Sequence, residues 1–505
     1  MRSLTPARVV VSMALTWMVA AALMAQDRKL GTIGPPPRQD PQRMTSAESL
    51  PPLPLPATPM RRSEPKAEPA PPTFVGKLAY GDTQDYMPNP GDLDNLLRHV
   101  RRNLDAWYGW KIQSLDDIAT QQAAGEKCQI PLLYLTGYQA FTLSEKQRLA
   151  LREYLLDGGT LLADATLGSP AFSESFLQEM ATIFPQHEMQ VLPLDHPVFR
   201  AFYQYANVEY YTIEKGVNTK MQSPPQLMGL NLAARTAVIF SPYDMSCGWD
   251  GFVAPPSSSR VPGAARSKAL NPPDAVRLGI NIIAYASALR PFASAQASTL
   301  QVVGTQEQAR AAVVVGQLRH QGDWNPDPSS MQQLVRLLAQ QTSVPVAYEV
   351  RPVDPQLDQL AETPVLVMTG MSDPRLDDQQ VAVLRRHLQA GGFLYINNTS
   401  GYSRFDREAR NLIARILPDQ ALEPLTPEHP LFASLHQVEQ VRHAAGEAQP
   451  PRVEAVMLGS RAAIVYTPSD CLGLLKGIHD PFANAYDAAS SRKLSLNILC
   501  YAMQR

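Results

Sequence analysis

Four side chains able to do chemistry stand at comparable places along the chain: Asp85 in YGDTQDY, Thr136 in LLYLTG, Asp164 in TLLADAT and Asp244 in VIFSPYD. Each follows or closes a short apolar run of the kind that forms a strand buried on both faces. In an open parallel sheet, ligands bind beyond the carboxyl ends of the strands. These four residues are therefore expected to face one crevice, with Tyr86 and Gly137 beside them and Trp249 near Asp244. Two or three carboxylates there could hold a cation, bind sugar hydroxyls, or act as general acid and base. The structural alternative is that Asp and Thr at strand ends cap helices and satisfy loop amides. His196 offers a base, but a residue before proline is pushed to extended geometry, which suits a helix entry with Pro197 at its first position. The candidate catalytic set is thus Asp164, His196 and Asp244. The candidate binding set is Asp85, Tyr86, Thr136, Gly137, Asp164, Asp244 and Trp249.

Other chemistries find little footing. No His-x-His or Cys-x-x-Cys pair is present, so no metal and no cofactor is expected. His429, His436 and His443 are spaced by seven, but the first half of the chain lacks counterparts for two of them. The four cysteines, Cys128, Cys247, Cys471 and Cys500, build no disulfide framework in 505 residues and read as isolated buried thiols. Nothing near Cys247 in DMSCGW would lower its pKa. Lys plus Arg at 45 against Asp plus Glu at 47 gives a net charge of −2, which provides no field for nucleic acid. The one dense basic spot, Arg98, His99, Arg101 and Arg102, falls at the end of an expected helix, where cations complement the dipole.

The elements that must position these residues occur twice. Pro131–Phe199 and Pro364–Phe432 align without a gap at a constant offset of 233, which carries Thr136-Gly137 onto Thr369-Gly370, Gly158-Gly159 onto Gly391-Gly392, and His196-Pro197 onto His429-Pro430. Strands alternate with helices in both copies, which argues a doubly wound parallel sheet in each. Ser144 with Gln147 opens one helix as a capping box, Gly158-Gly159 stop it, and Leu149, Tyr154, Leu155 and Leu156 are expected on its inner face. NVEYYTIEKG and VEAVMLG read as extra strands at a sheet edge. The expected boundaries are a first α/β repeat over 74–291, a linker over 292–310 and a second, degenerate repeat over 311–505. The second copy is also a control: Asp323 and Asp470 match Asp85 and Asp244, while Asn397 replaces Asp164 and keeps its shape without its charge.

Ahead of the repeats, Arg2 and Arg8 precede an apolar run, Val9–Ala25, followed by polar Gln26-Asp27-Arg28. That order is expected of a secretory signal or membrane anchor over 1–25. Thirteen prolines between Gly34 and Pro72 make 26–73 an expected disordered spacer near a membrane.

The combination of YGDTQDY, the YLTG strand end, LREYLLDGGTLLAD, LPLDHPVF and VIFSPYDMSCGWDG resembles the bacterial domain-of-unknown-function 4159 family, strongly over 74–289 and more weakly over 311–505. The resemblance implies two tandem flavodoxin-like domains, similar to class I glutamine amidotransferases in fold. It implies no reaction. The nucleophile of that fold sits on a tight turn after a central strand, yet the corresponding turns, ADATLGS and NNTSGY, lack cysteine, and the first repeat has no histidine after His196. The expectation is an exported, periplasmic or membrane-anchored protein of the cell envelope that binds a small ligand or an envelope protein without catalysis. The alternative is a hydrolase or sugar-modifying enzyme using Asp164, His196 and Asp244.

Overall fold

The strands run as the apolar segments require, and they build the same sheet twice. The computed structural model describes residues 71–214, 217–252, 266–300, 314–342, 350–444, 446–476 and 480–504. The expected leader over 1–25 and the proline-rich spacer as far as Ala70 lie outside the described residues, and among those described no helix is long and apolar enough to cross a membrane.

In the first repeat the order is β1 (Thr73–Ala79), α1 (Asp92–Leu104), β2 (Gly109–Ser114), α2 (Leu115–Ala123), β3 (Leu132–Gly137), α3 (Glu145–Leu156), β4 (Thr160–Ala165) and α4 (Pro170–Ile183). There follow β5 (Gln190–Val191), β6 (Val208–Glu214), β7 (Val217–Ser223), β8 (Met228–Leu232), β9 (Arg235–Ser241), β10 (Arg266–Leu270) and α5 (Pro272–Leu300). The main sheet has the order β2-β1-β3-β4-β9-β8-β5, with the first five strands parallel and β8 antiparallel to both of its neighbours. Its parallel part is the flavodoxin-like arrangement, which reverses direction of winding between β1 and β3.

The second repeat comprises β11 (Val315–Leu318), α6 (Pro328–Gln341), β12 (Arg351–Val353), β13 (Val365–Gly370), α7 (Asp378–Gln389), β14 (Phe393–Asn398), α8 (Ser403–Ile416), β15 (Leu422–Pro424), β16 (Val441–Arg442), β17 (Ala448–Gln449), β18 (Glu454–Leu458), β19 (Arg461–Thr467) and α9 (Ala488–Met503). Its sheet order, β12-β11-β13-β14-β19-β18-β15, reproduces the first strand for strand.

Helices cover both faces of each sheet, so β3, β4, β9, β13 and β14 are buried along their whole lengths. The capping box at Ser144 and Gln147 forms, and Asp377 with Gln380 forms its counterpart on α7. Gly158 and Gly391 end these helices at φ of 101° and 106°, a region open to glycine but strained for other residues.

Three details differ from the sequence reading. Ala150, Leu151, Tyr154 and Leu155 form the inner face of α3, whereas Leu149 points to solvent, because the helical phase is set by Tyr154 anchoring under the sheet. Tyr154 donates to the carbonyls of Ile130 and Thr160, which fixes that phase. NVEYYTIEKG does not join the main sheet: β6 pairs antiparallel with β10 and β7 in a separate three-stranded sheet, and the main edge is made by β8 and β5. α5 continues to Leu300, through the first part of the expected linker.

Candidate functional site

Asp164 and Asp244 leave the carboxyl ends of neighbouring strands β4 and β9, and both are fully buried. Their oxygens are occupied by the chain itself. Asp164 accepts from the amides of Met245 at 2.9 Å and Ser246 at 3.2 Å, and from the Tyr134 hydroxyl at 3.5 Å. Asp244 accepts from the amides of Leu167 at 2.7 Å and Cys247 at 2.9 Å and from the Ser246 hydroxyl at 2.8 Å. Burial pushes both carboxyls above the usual range, and the charge of Asp244 raises Asp164 further. Leu167 adopts φ 56°, costly for a residue with a Cβ, and the hydrogen bond its amide donates to Asp244 holds that turn in place.

The second repeat arrives at the same turn with a different charge. Ser400 takes φ 59° and donates its amide to Asp470 at 2.8 Å, as Leu167 does to Asp244. Asn397, in the place of Asp164, donates to Asp470 at 3.0 Å and accepts from the Cys471 amide at 2.9 Å and the Thr467 hydroxyl at 3.1 Å. A neutral amide therefore does the holding there. Asn397 beside one buried carboxylate removes the like-charge contact that raises Asp164 next to Asp244 in the first repeat.

At the β1/β3 switch point, where a ligand crevice would open, the Tyr80 hydroxyl lies across the gap. It donates to the carbonyls of Thr136 at 3.0 Å and Asp85 at 3.1 Å. A Cβ added to Gly137 would collide with that oxygen, so glycine is needed there to admit the phenol. The Thr136 hydroxyl pairs with that of Thr166 at 3.0 Å. Asp85 turns its carboxylate back to the Asp82 amide at 2.8 Å, and Tyr86 is half-buried on the same one-turn helix. In the second repeat His320 takes the place of Tyr80: its Nε2 lies 2.9 Å from the Thr369 carbonyl, and its Nδ1 accepts from the Gly322 amide. Both switch points are thus filled by a ring from the chain. Neither ring was singled out from the sequence, although Gly76-Lys77 and Gly316-Gln317 place Tyr80 and His320 at one common offset. Trp249 is buried, donates to the Ala275 carbonyl at 2.9 Å and packs at 5.4 Å from the Tyr134 ring, as a core residue does.

Two copies of one plugged α/β unit have a counterpart among known families. A family model described as a domain of unknown function, DUF4159, matches twice, over residues 75–287 and 314–503. The chain belongs to this family. No curated protein matches it.

Within the first DUF4159 repeat, His196 is not brought to Asp164 and Asp244. Its Nε2 lies 2.9 Å from the Thr236 hydroxyl, at the start of β9, while Asp244 follows the far end of that strand, about 16 Å away along it. Its Nδ1 accepts from the Val198 amide, capping the short turn that Pro197 opens, and burial lowers the imidazole to about 3. His429 caps the matching turn through Leu431. His436 bonds to Gln341 and His443 packs on Tyr486, so the three histidines spaced by seven serve three separate places. Among the described residues no cluster of His, Cys, Asp and Glu has the arrangement of a metal site.

His196 belongs instead to the contact between the two DUF4159 repeats. Its ring stacks on Tyr402 of the second repeat at 5.7 Å and 15°, and Tyr285 stacks on Phe482 at 5.5 Å. Arg404 donates to the Val191 carbonyl at 3.2 Å, and Arg375 pairs with Glu188 at 2.6 Å. Between these contacts lies a cleft of about 40 Å³ lined by Glu188, His196, Asn231, Asp323 and Arg404, enough for a few waters. Beyond it, Ala234 and Phe292 close over Ser400, Asp470 and Asp480, leaving about 10 Å³. The amino end of the first sheet therefore covers the carboxyl end of the second, where that repeat's own crevice would open.

One further set escaped the sequence reading. Lys77, fully buried on β1, pairs with equally buried Asp92 at 2.7 Å and donates to the Asn89 carbonyl. Asn89 in turn donates to the Ser246 hydroxyl at 2.7 Å and to the Cys247 sulfur at 3.3 Å, so the ion pair joins the network around Asp244. Burial, opposed by Lys77, pushes Asp92 up to about 6, and burial followed by the Asp244 charge pushes the Cys247 thiol up, away from reactivity. The second repeat replaces Lys77 with Gln317 and Asp92 with Ser330, removing both charges together. A lone lysine inside an apolar strand was the available signal.

Proposed function

We propose that this protein is a non-catalytic binding or scaffold protein of the cell envelope, exported and held near a membrane by its N-terminal segment. The observation that carries this reading is the filled switch point: Tyr80 in one repeat and His320 in the other occupy the place where a substrate would sit. The polar residues behind it spend their hydrogen bonds on loop amides, and the second crevice lies under the first repeat. Export rests on the order of Arg2, Arg8, the apolar run Val9–Ala25 and the polar residues after it, and the proline-rich stretch supplies reach. A likeness to glutamine amidotransferases extends, on this proposal, to strand order alone, since the strained turn after the central strand carries Leu167 or Ser400 in place of cysteine. The partner would be an envelope protein or a small ligand bound on the outer surface of the stacked repeats. A hydrolase would need Asp164, His196 and Asp244 around one cavity, and they stand at opposite ends of β9.

The test is a thermal-shift screen with divalent metals and saccharides, run on wild type and Asp164→Asn. A binding protein with structural aspartates gives the same ligand response in both. A ligand that stabilises wild type and loses its effect in the variant would overturn the reading.

A further inference from the structure

β7 is the outer strand of the three-stranded sheet β10-β6-β7, and among the described residues it has no second neighbour. It pairs with β6 at seven successive positions, from Val208↔Ser223 to Glu214↔Val217. Val217 to Gln222 are exposed on both faces. Sheets ordinarily guard such an edge with proline, a bulge or an outward charge. β7 has no proline and an unbroken register. Its single charge, on Lys220, is drawn back onto its own sheet by Glu209 at 3.5 Å and by the Tyr211 ring at 4.8 Å. The fold does not require this hairpin: its counterpart in the second repeat, β16 with β17, has only two pairs. Two of the exposed large apolar side chains of the protein lie on β7, Val217 at 66% and Met221 at 51%. Four residues apart on a strand, they share one face.

We propose that β7 pairs antiparallel with β7 of a second copy of the chain, about a twofold axis through Thr219. In that register Val217 lies opposite the partner's Met221 and Met221 opposite the partner's Val217, so the two exposed apolar residues cover each other reciprocally. Thr219 faces its own copy at the axis, and Asn218 faces Lys220, so no like charges oppose. A register one pair along, centred on Lys220, would set two ammonium groups face to face. Any extended peptide can add to a free edge; what selects a second copy is this self-complementary spacing, which an isologous contact demands. The result is a six-stranded sheet across two chains. The inference goes beyond the scaffold reading and does not depend on it.

The experiment uses the full chain in nonionic detergent. Wild type is expected to sediment as a dimer at micromolar concentration, and Val217→Glu or Met221→Lys to weaken association at least tenfold with an unchanged far-UV circular dichroism spectrum. Combining Val217→Glu with Met221→Lys is expected to restore association, because the register sets those two positions opposite each other across the axis. Thr219→Cys should cross-link two chains under mild oxidation, since opposed Cα atoms in such a ladder lie about 4.5–5.5 Å apart. Asn218→Cys and Lys220→Cys, tested singly, should cross-link poorly. A monomeric wild type at about 100 micromolar, a double variant no better than the single ones, or equal cross-linking at all three positions would each overturn the proposal.

Discussion

His196 offers the sharpest test of whether the shared histidine is a reactive base or part of the framework. It is buried, bonded to Thr236 and Val198, and stacked on Tyr402, and burial first, then the nearby Arg200, lowers it from 6.5 to about 3. Because the folded value lies below the unfolded one, the stability His196 contributes is present above about pH 6.5 and is lost as pH falls towards 3. Each pH unit inside that window corresponds to about 1.4 kcal/mol, so lowering the pH from 7 to 5 removes about 2 kcal/mol. Carboxyls raised by burial, among them Asp164, Asp244 and Asp470, act in the opposite direction, so the wild-type profile alone does not isolate the effect. The comparison is with His196→Asn, which keeps a cap for the Val198 amide and has nothing to titrate. At pH 7 the variant melts below wild type, for want of the Thr236 bond and the stack. At pH 5 that gap narrows by about 2 kcal/mol, or roughly 4–8 °C for a unit of this size. Differential scanning calorimetry at the two pH values reads it. A gap that stays constant would refute the argument, since it would mean that His196 takes up a proton in the folded protein as readily as in water.

Removing one member of the buried Lys77–Asp92 pair, by Lys77→Gln or Asp92→Ser, is expected to cost about 3–5 kcal/mol in urea unfolding, and making both changes to cost much less, because the second repeat carries that uncharged combination. Asp164→Ala should cost about 1–3 kcal/mol by stranding the amides of Met245 and Ser246, whereas Asp164→Asn should cost less, because its one amide oxygen still accepts one of them, as Asn397 accepts from Cys471; thermal melts distinguish the two. Tyr80→Phe loses two hydrogen bonds to carbonyls that have the phenol as their partner, for about 1–3 kcal/mol in the same assay.

The duplicated architecture was open to reading because its signal is local and repeated. A gap-free offset through β3, α3 and β4 preserves register, and the strand pairing bears this out: Thr136 pairs with Asp164 as Thr369 pairs with Asn397. Capping at Ser144 depends on residues three apart, and the sequence holds that information complete. The placement of β6 was not legible in the same way, since alternation marks a strand without saying which strand it will pair with. Asp164 and Asp244 did come together at the strand ends, as the spacing expected, but their burial and their bonds to Met245, Ser246 and Leu167 are set by loops folded over them from distant sequence.

The gap between motif and site has one physical origin here. A strand-end aspartate looks the same in sequence whether it awaits a ligand or holds a strained turn. What separates the two cases is the number of donors the chain itself supplies. For Asp244 three are present, including the amide of Leu167 at positive φ, so the carboxylate is committed before any ligand arrives. Asp470 repeats this with the amides of Ser400, Leu472 and Gly473, although its partner has changed from Asp164 to Asn397. A catalytic role would tie the charge at 164 to activity and leave the turn as a by-product. The turn survives the loss of that charge, with closely similar φ at the matching position, so its geometry depends on the carboxylate of Asp244 or Asp470 and not on the charge at 164.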